Sequence, residues 1–337
     1  MKNVFSRNGF LDIIKAFCIV FVIITHDAIS DSFRLKALFP FWINMAVPVF
    51  MIISGYVYAI SFEKNNISEI QQAYSPRFLV PKIIRYTVPF VMAFAVEVIG
   101  DYIAYKLGVG NFSIKRWIKL FFESGKGPGS YYYPLMLQLL LFYPLVYFIV
   151  KKYDFRGVLL CLLINACFEF FKQMWHCNGE FYRLLLFRYT LVIAFGSWLY
   201  QRKKEKNQFL WKSVSFFIGL AFIILYCYIG IKPTIIVYWT STCFLACLYV
   251  LPIAGFLIRK VHITFKPIEF IGRASFNIFL VQMVYFEYAA GLMRIIIPSH
   301  FLWLCAHIGI CLIAGLLFYW VEQKITKCIL QKYKSAQ

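Results

Sequence analysis

A chain of 337 residues that is 61% hydrophobic and 15% charged is too apolar for a water-soluble domain, where roughly a quarter of residues are charged and under half apolar. Its formal net charge of +20 falls in short segments between apolar blocks, which fits loops facing anionic lipid and argues against nucleic acid as a partner. The chain is therefore expected to be an all-α polytopic membrane protein, with helices rather than a barrel satisfying the backbone, because strand-like alternation is missing.

A span needs about 20 apolar residues. By that measure the sequence predicts about ten spans, at 10–29, 42–61, 83–104, 132–150, 157–175, 183–200, 211–230, 235–257, 271–293 and 301–321, forming one domain over 1–337. The N-terminal apolar run is interrupted by Asp12 and Lys15 and lacks a small-residue cleavage site, so it reads as an uncleaved first helix. Placing the N-terminus inside puts 22 of the 35 basic residues at inner positions and 11 at outer ones, which predicts that both termini are cytoplasmic.

The first span carries Asp12, Lys15 and His26 on one side of a helix. Ionisable groups in a span cost several kcal/mol unless paired or wet, so each is a functional candidate. Asp12 and Lys15 are spaced to pair, and His26 lies about 16 Å further out. A histidine at a helix end also suits a merely interfacial role. Asp27 points about 100° away and is expected to face solvent or end the helix. In the second span, Pro48 and the pair Ser54-Gly55 allow a kink and close packing. Lys82 and Arg85 share a face at the inner end of the third span; they suit either lipid anchoring or an anion site for phosphates. Glu97 and Asp101 sit at about the depth of His26, where either could orient an imidazole. The loop after them breaks the charge rule with Lys106, Lys115, Arg116, Lys119 and Lys126, and also carries Phe112, Trp117, Phe121 and Phe122. An interfacial surface helix and a functional loop both fit that pattern.

Gln138, Asn165, Glu169, Arg188, Asn277, Gln282 and Glu287 are the other polar residues within spans. Interhelical hydrogen bonding is the ordinary use of such groups. Most of the ten cysteines lie within apolar blocks, where Cys behaves as a small hydrophobe. Neither Cys243 with Cys247 nor His176 with Cys177 makes a two-plus-two ligand set, so no metal is expected. Nucleotide-loop, zinc-protease and serine-elbow motifs are missing.

These residues resemble the acyltransferase 3 family of bacterial membrane acyltransferases, which includes O-acetylases of cell-surface polysaccharides. The likeness rests on Arg7, Asp12, Lys15 and His26, on Val47-Pro48 with Phe50 and Ser54-Gly55-Tyr56, on Lys82 and Arg85, and on the run from Ile271 to Leu280. Lys15 and Lys82 stand where many members have Arg, and Gln282 where many have His. The resemblance implies transfer of an acyl group, acetyl above all, from cytoplasmic acyl-CoA to a cell-surface or lipid-linked saccharide at a bacterial inner membrane. It implies His26 as general base or acyl carrier; Asp12 of the same motif, and Glu97 by its depth beside His26, complete the expected catalytic set. Lys15, Lys82 and Arg85 would bind the cofactor. A transporter or flippase is the rival class; repeated halves and matching broken helices would mark it, and the sequence has no such repeat.

Overall fold

The computed structural model describes residues 9–39, 42–174, 179–202, 217, 241–297 and 299–335. Among these the chain is 84% helical and contains no strand. The helices, in chain order, are α1 (Gly9–His26), α2 (Asp31–Lys36), α3 (Ala46–Lys64), α4 (Ile70–Ala73), α5 (Pro76–Lys106), α6 (Ile114–Glu123), α7 (Tyr132–Tyr153), α8 (Phe155–Met174), α9 (Gly179–Leu184), α10 (Thr190–Gln201), α11 (Ser241–Lys260), α12 (Lys266–Arg273), α13 (Ser275–Tyr288), α14 (Ala290–Ile296) and α15 (His300–Ser335).

Among the described residues, five stretches are long and apolar enough to cross a membrane: α1, α3, α4 running on into α5, α7 and α15. The expectation of ten continuous spans needs correcting at two of them. The sixth is broken into α9, a 3₁₀ turn at Leu186–Tyr189 and the 12-residue α10. The Gln138 side chain takes over the interrupted backbone, donating to Leu184 O at 2.6 Å and accepting from Leu186 N–H at 3.0 Å. The ninth is divided at Ala274 between α12 and α13, and again at Ala289 before α14. The seventh falls outside the described residues but for Phe217, as does the start of the eighth. Pro89 lies inside a continuous α5 of 31 residues, and Pro48 in the first turn of α3, so neither breaks its helix.

Glycines set how near the helices come. A methyl at Gly55 would meet Ile193 O at 2.1 Å, and one at Gly196 would meet Ile52 O at 1.9 Å. So α3 and α10 touch backbone to backbone, as small residues allow between membrane helices. Gly272 does the same for α12 against α1, where a methyl would fall 1.7 Å from Asp12 O. α1 thereby becomes a central post, with Ile19 and Ile23 wholly buried. The loop for which an interfacial helix and a functional role both fit forms α6, with Ile114, Ile118 and Phe122 exposed and Trp117 buried against Phe94 at 5.3 Å between ring centroids.

Candidate functional site

The site is built along α1. At its N-terminal end the Lys15 ammonium lies 3.1 Å from Asp12 Oδ1, and the carboxylate is almost fully buried. The predicted pair thus exists, held under α12 by the close approach at Gly272. α3 runs back antiparallel beside α1 and brings Ser61 to this same end. There Lys82 donates to Ser61 Oγ at 2.8 Å, and its ammonium lies 4.3 Å from the Phe78 ring centroid and 4.7 Å from that of Tyr58. No carboxylate pairs with Lys82 among the described residues. Arg85 is exposed one turn away. A partly buried cation with aromatic faces and no counter-ion is a ready anion site.

Above the charge pair is a cavity of about 30 Å³ lined by Ile19 and Val22 of α1, Val47 and Phe50 of α3, Tyr132 of α7, and Ser275, Phe276 and Phe279 of α13. Ile19, Val22 and His26 share one helix stripe, so the hollow lies directly beneath the imidazole. His26 is half-buried at the other end of α1.

A short loop closes over it. Residues 125–130 read Gly-Lys-Gly-Pro-Gly-Ser, and Gly125 and Gly129 have φ of +99° and +92°, values that favour glycine. A methyl at Gly129 would come 2.8 Å from Phe279 Cζ and 3.4 Å from His26 Nε2; one at Gly127 would come 2.4 Å from Met283 O. The loop therefore lies flat between α13 and the imidazole. Gln282 Nε2 donates to Pro128 O at 3.2 Å. Glu97 accepts from Lys126 N–H at 3.2 Å, and the Lys126 ammonium pairs with Asp101. The Tyr288 hydroxyl bonds Asp101 Oδ1 at 2.9 Å and the Glu97 carbonyl at 3.1 Å. Glu97 and Asp101 were expected to orient an imidazole. The structure brings them to the loop instead: no hydrogen bond joins either to His26.

Of the two expectations for Asp27, the helix end holds and the solvent-facing one does not. α1 ends at His26, so the angular argument stops there. The Asp27 carboxylate turns inward and lies 3.3 Å from His307 Nδ1 of α15, with both side chains fully buried. Trp303, Tyr285 and Phe286 surround His307 at ring-centroid distances of 5.1, 5.5 and 5.4 Å, and Phe286 also stands 6.5 Å from His26. Arg34 seals the end of α1, donating to Thr25 O at 2.9 Å and Asp27 O at 2.6 Å. Sequence reasoning missed His307 and the loop. His307 is an ionisable group in an apolar helix, the same signal that picked out His26. Three glycines and a proline in six residues signal close backbone approach.

The apolar helical bundle thus carries cations at one end of α1 and the half-buried imidazole of His26 at the other. A family model described as an acyltransferase domain, of the acyltransferase 3 type, matches residues 8–320, nearly the whole chain. The chain belongs to this family and is a membrane acyltransferase. Neither a curated protein nor a solved structure matches it.

Proposed function

We propose that this acyltransferase takes an acyl group, acetyl in particular, from acyl-CoA on the cytoplasmic side and places it on a hydroxyl of a cell-surface or lipid-linked saccharide outside. The observation that carries this reading is the order of features along α1: cations at one end, an apolar cavity in the middle and His26 at the far end. Lys82, Arg85 and Lys15 would hold the phosphates. The pantetheine arm would run beside Ile19 and Val22, and a span of about 16 Å suits an extended arm of that kind.

His26 would accept the proton of the acceptor hydroxyl as its oxygen bonds the acyl carbon. The carbon–sulfur bond then breaks, and the proton passes from the imidazolium to the leaving thiolate, giving ester and free thiol. Histidine fits because it both takes and returns a proton near neutral pH. The Asp12–Lys15 pair keeps α1 in place rather than touching the reacting atoms, and Glu97 does the same for the loop over His26.

The test is incubation of purified protein with labelled acetyl-CoA and a bacterial glycan extract. Label appearing in base-labile ester on glycan supports the reading. Solute flux in liposomes without thioester cleavage would replace it with a transporter.

A further inference from the structure

His26 is the last residue of α1, so whatever holds that helix end also holds the imidazole. Two devices do so. The first is local. Arg34 of α2 donates to the carbonyls of Thr25 and Asp27, the residues on either side of His26, and through Nε to Ile29 O at 3.0 Å. It meets carbonyls that a helix end leaves without intrahelical partners, and its charge suits the negative end of the helix dipole. Its partners lie at most nine residues away along the chain, so this clamp sets the shape of the turn and not its place in the bundle.

The second device reaches across the chain. Asp27 Oδ1 accepts from Ala28 N–H at 2.8 Å and lies 3.3 Å from His307 Nδ1. The turn after His26 is thereby tied to α15. His307 is itself boxed in by Trp303 of its own helix and by Tyr285 and Phe286 of α13. Holding two helices together does not require such a pair. Burying a carboxylate beside an imidazole costs several kcal/mol, and apolar side chains of similar volume pack as well or better. An ionisable group kept inside a membrane bundle marks function instead. What this pair adds to packing is direction: a polar contact has a preferred distance and angle, whereas apolar contact sets only closeness. It acts on the residue next to His26, and the planar peptide between them passes any displacement on to the imidazole.

Resting on the acyl-transfer reading above, in which His26 moves the proton, we propose that His307 is a positioning residue. Through Asp27 it seats the end of α1 so that His26 meets the acceptor hydroxyl and the thioester at working distance. The His307 side chain is wholly buried and touches no reacting atom. Phe286 borders both imidazoles, 6.5 Å from the ring of His26 and 5.4 Å from that of His307, so the same seat also fixes one wall beside the base.

The test is saturation kinetics of thiol release from acetyl-CoA by the purified full chain with a bacterial glycan extract, beside thermal midpoints in the same detergent. His307→Leu removes the partner of Asp27 and should lower kcat by about 10- to 100-fold, as a misplacement of about 1 Å does, with the acyl-CoA KM little changed. His307→Asn places an amide N–H near the position of Nδ1 and should recover most of that loss. Asp27→Leu combined with His307→Leu leaves no charge buried, so it should fold like the parent and still turn over slowly. A merely structural pair predicts the opposite, the parent kcat once the fold is restored. The proposal is overturned by a folded His307→Leu or double variant at the parent rate, or by an Asn variant no faster than Leu. If the double variant and both His307 variants fail to fold, the pair belongs to the fold alone and the proposal falls. Failure of the underlying reading looks different: a folded His26→Ala at the parent rate removes the base to be positioned, whatever His307 does.

Discussion

Gly129→Ala tests whether the loop over His26 is held to the geometry catalysis needs. Two costs act at this residue. The backbone sits at φ +92°, where a Cβ adds about 1–2 kcal/mol. The new methyl would also stand 2.8 Å from Phe279 Cζ, well inside an ordinary carbon–carbon contact of about 3.5–4.0 Å. Phe279 cannot simply retreat, since its ring packs 4.7 Å from that of Tyr132. The loop must therefore move by roughly an ångström, and that movement falls beside the imidazole. A misplacement of about 1 Å can cost roughly 10²-fold in rate. Gly108→Ala is the matched control: its φ is +76° and nothing lies within 4 Å of the added methyl. It bears the backbone cost without the contact. Thiol release from acetyl-CoA should show kcat lowered by about 10- to 100-fold for Gly129→Ala, with the acyl-CoA KM little changed. Gly108→Ala should turn over like the parent. Equal kcat for the two variants would refute the idea that the loop positions chemistry at His26.

His26→Ala should lower kcat by about 10²–10⁴-fold while binding of acyl-CoA, measured directly, is retained; a folded variant at the parent rate would return His26 to a merely interfacial residue. Lys82→Met should raise the apparent KM for acyl-CoA more than it lowers kcat, because phosphate binding acts on ground and transition states alike; saturation kinetics with and without Arg85→Gln separate the two cations. Gly196→Ala should lower the thermal midpoint in detergent, since forcing α3 and α10 apart costs about 1–3 kcal/mol, whereas Gly309→Ala on α15, with open space around it, should be neutral or gain a few tenths of a kcal/mol in helix propensity. Reporter fusions after Gln337 and in the 201–212 segment should both read cytoplasmic, and an outside reading at either would reverse the charge-based orientation.

Membrane helices were legible because hydropathy and length act locally. α1, α3, α5, α7 and α15 answer to apolar blocks of the right size. The breaks at 184–190 and at Ala274 were not legible, because each depends on packing against a distant element. The Gln138 amide that satisfies the first break lies 46 residues from Leu184 along the chain. The pairing of Asp12 with Lys15 was readable because three-residue spacing fixes it within one helix. Asp27 with His307 was not, since it joins opposite ends of the sequence. Glu97 was placed at the correct depth and given a different partner. Depth follows from counting residues, but partners follow from tertiary approach, here a glycine loop that fits where no side chain would.

The two longest helices reach well past any hydrocarbon slab. α15 runs 36 residues, about 54 Å at the α-helical rise, against about 30 Å of lipid tails. Glu322 and Thr326 are still buried, and beyond them the polar end of the helix is mostly exposed. It is joined there to the start of α5 by the Tyr333 hydroxyl, 3.3 Å from Pro76 O. A 39.6 kDa bundle in a detergent belt needs a protruding feature for particle alignment in electron microscopy. This double post gives it a directional landmark. A helical fusion continued in register from Ser335 would extend that post rigidly, turning the tail of α15 into a handle for imaging the small enzyme.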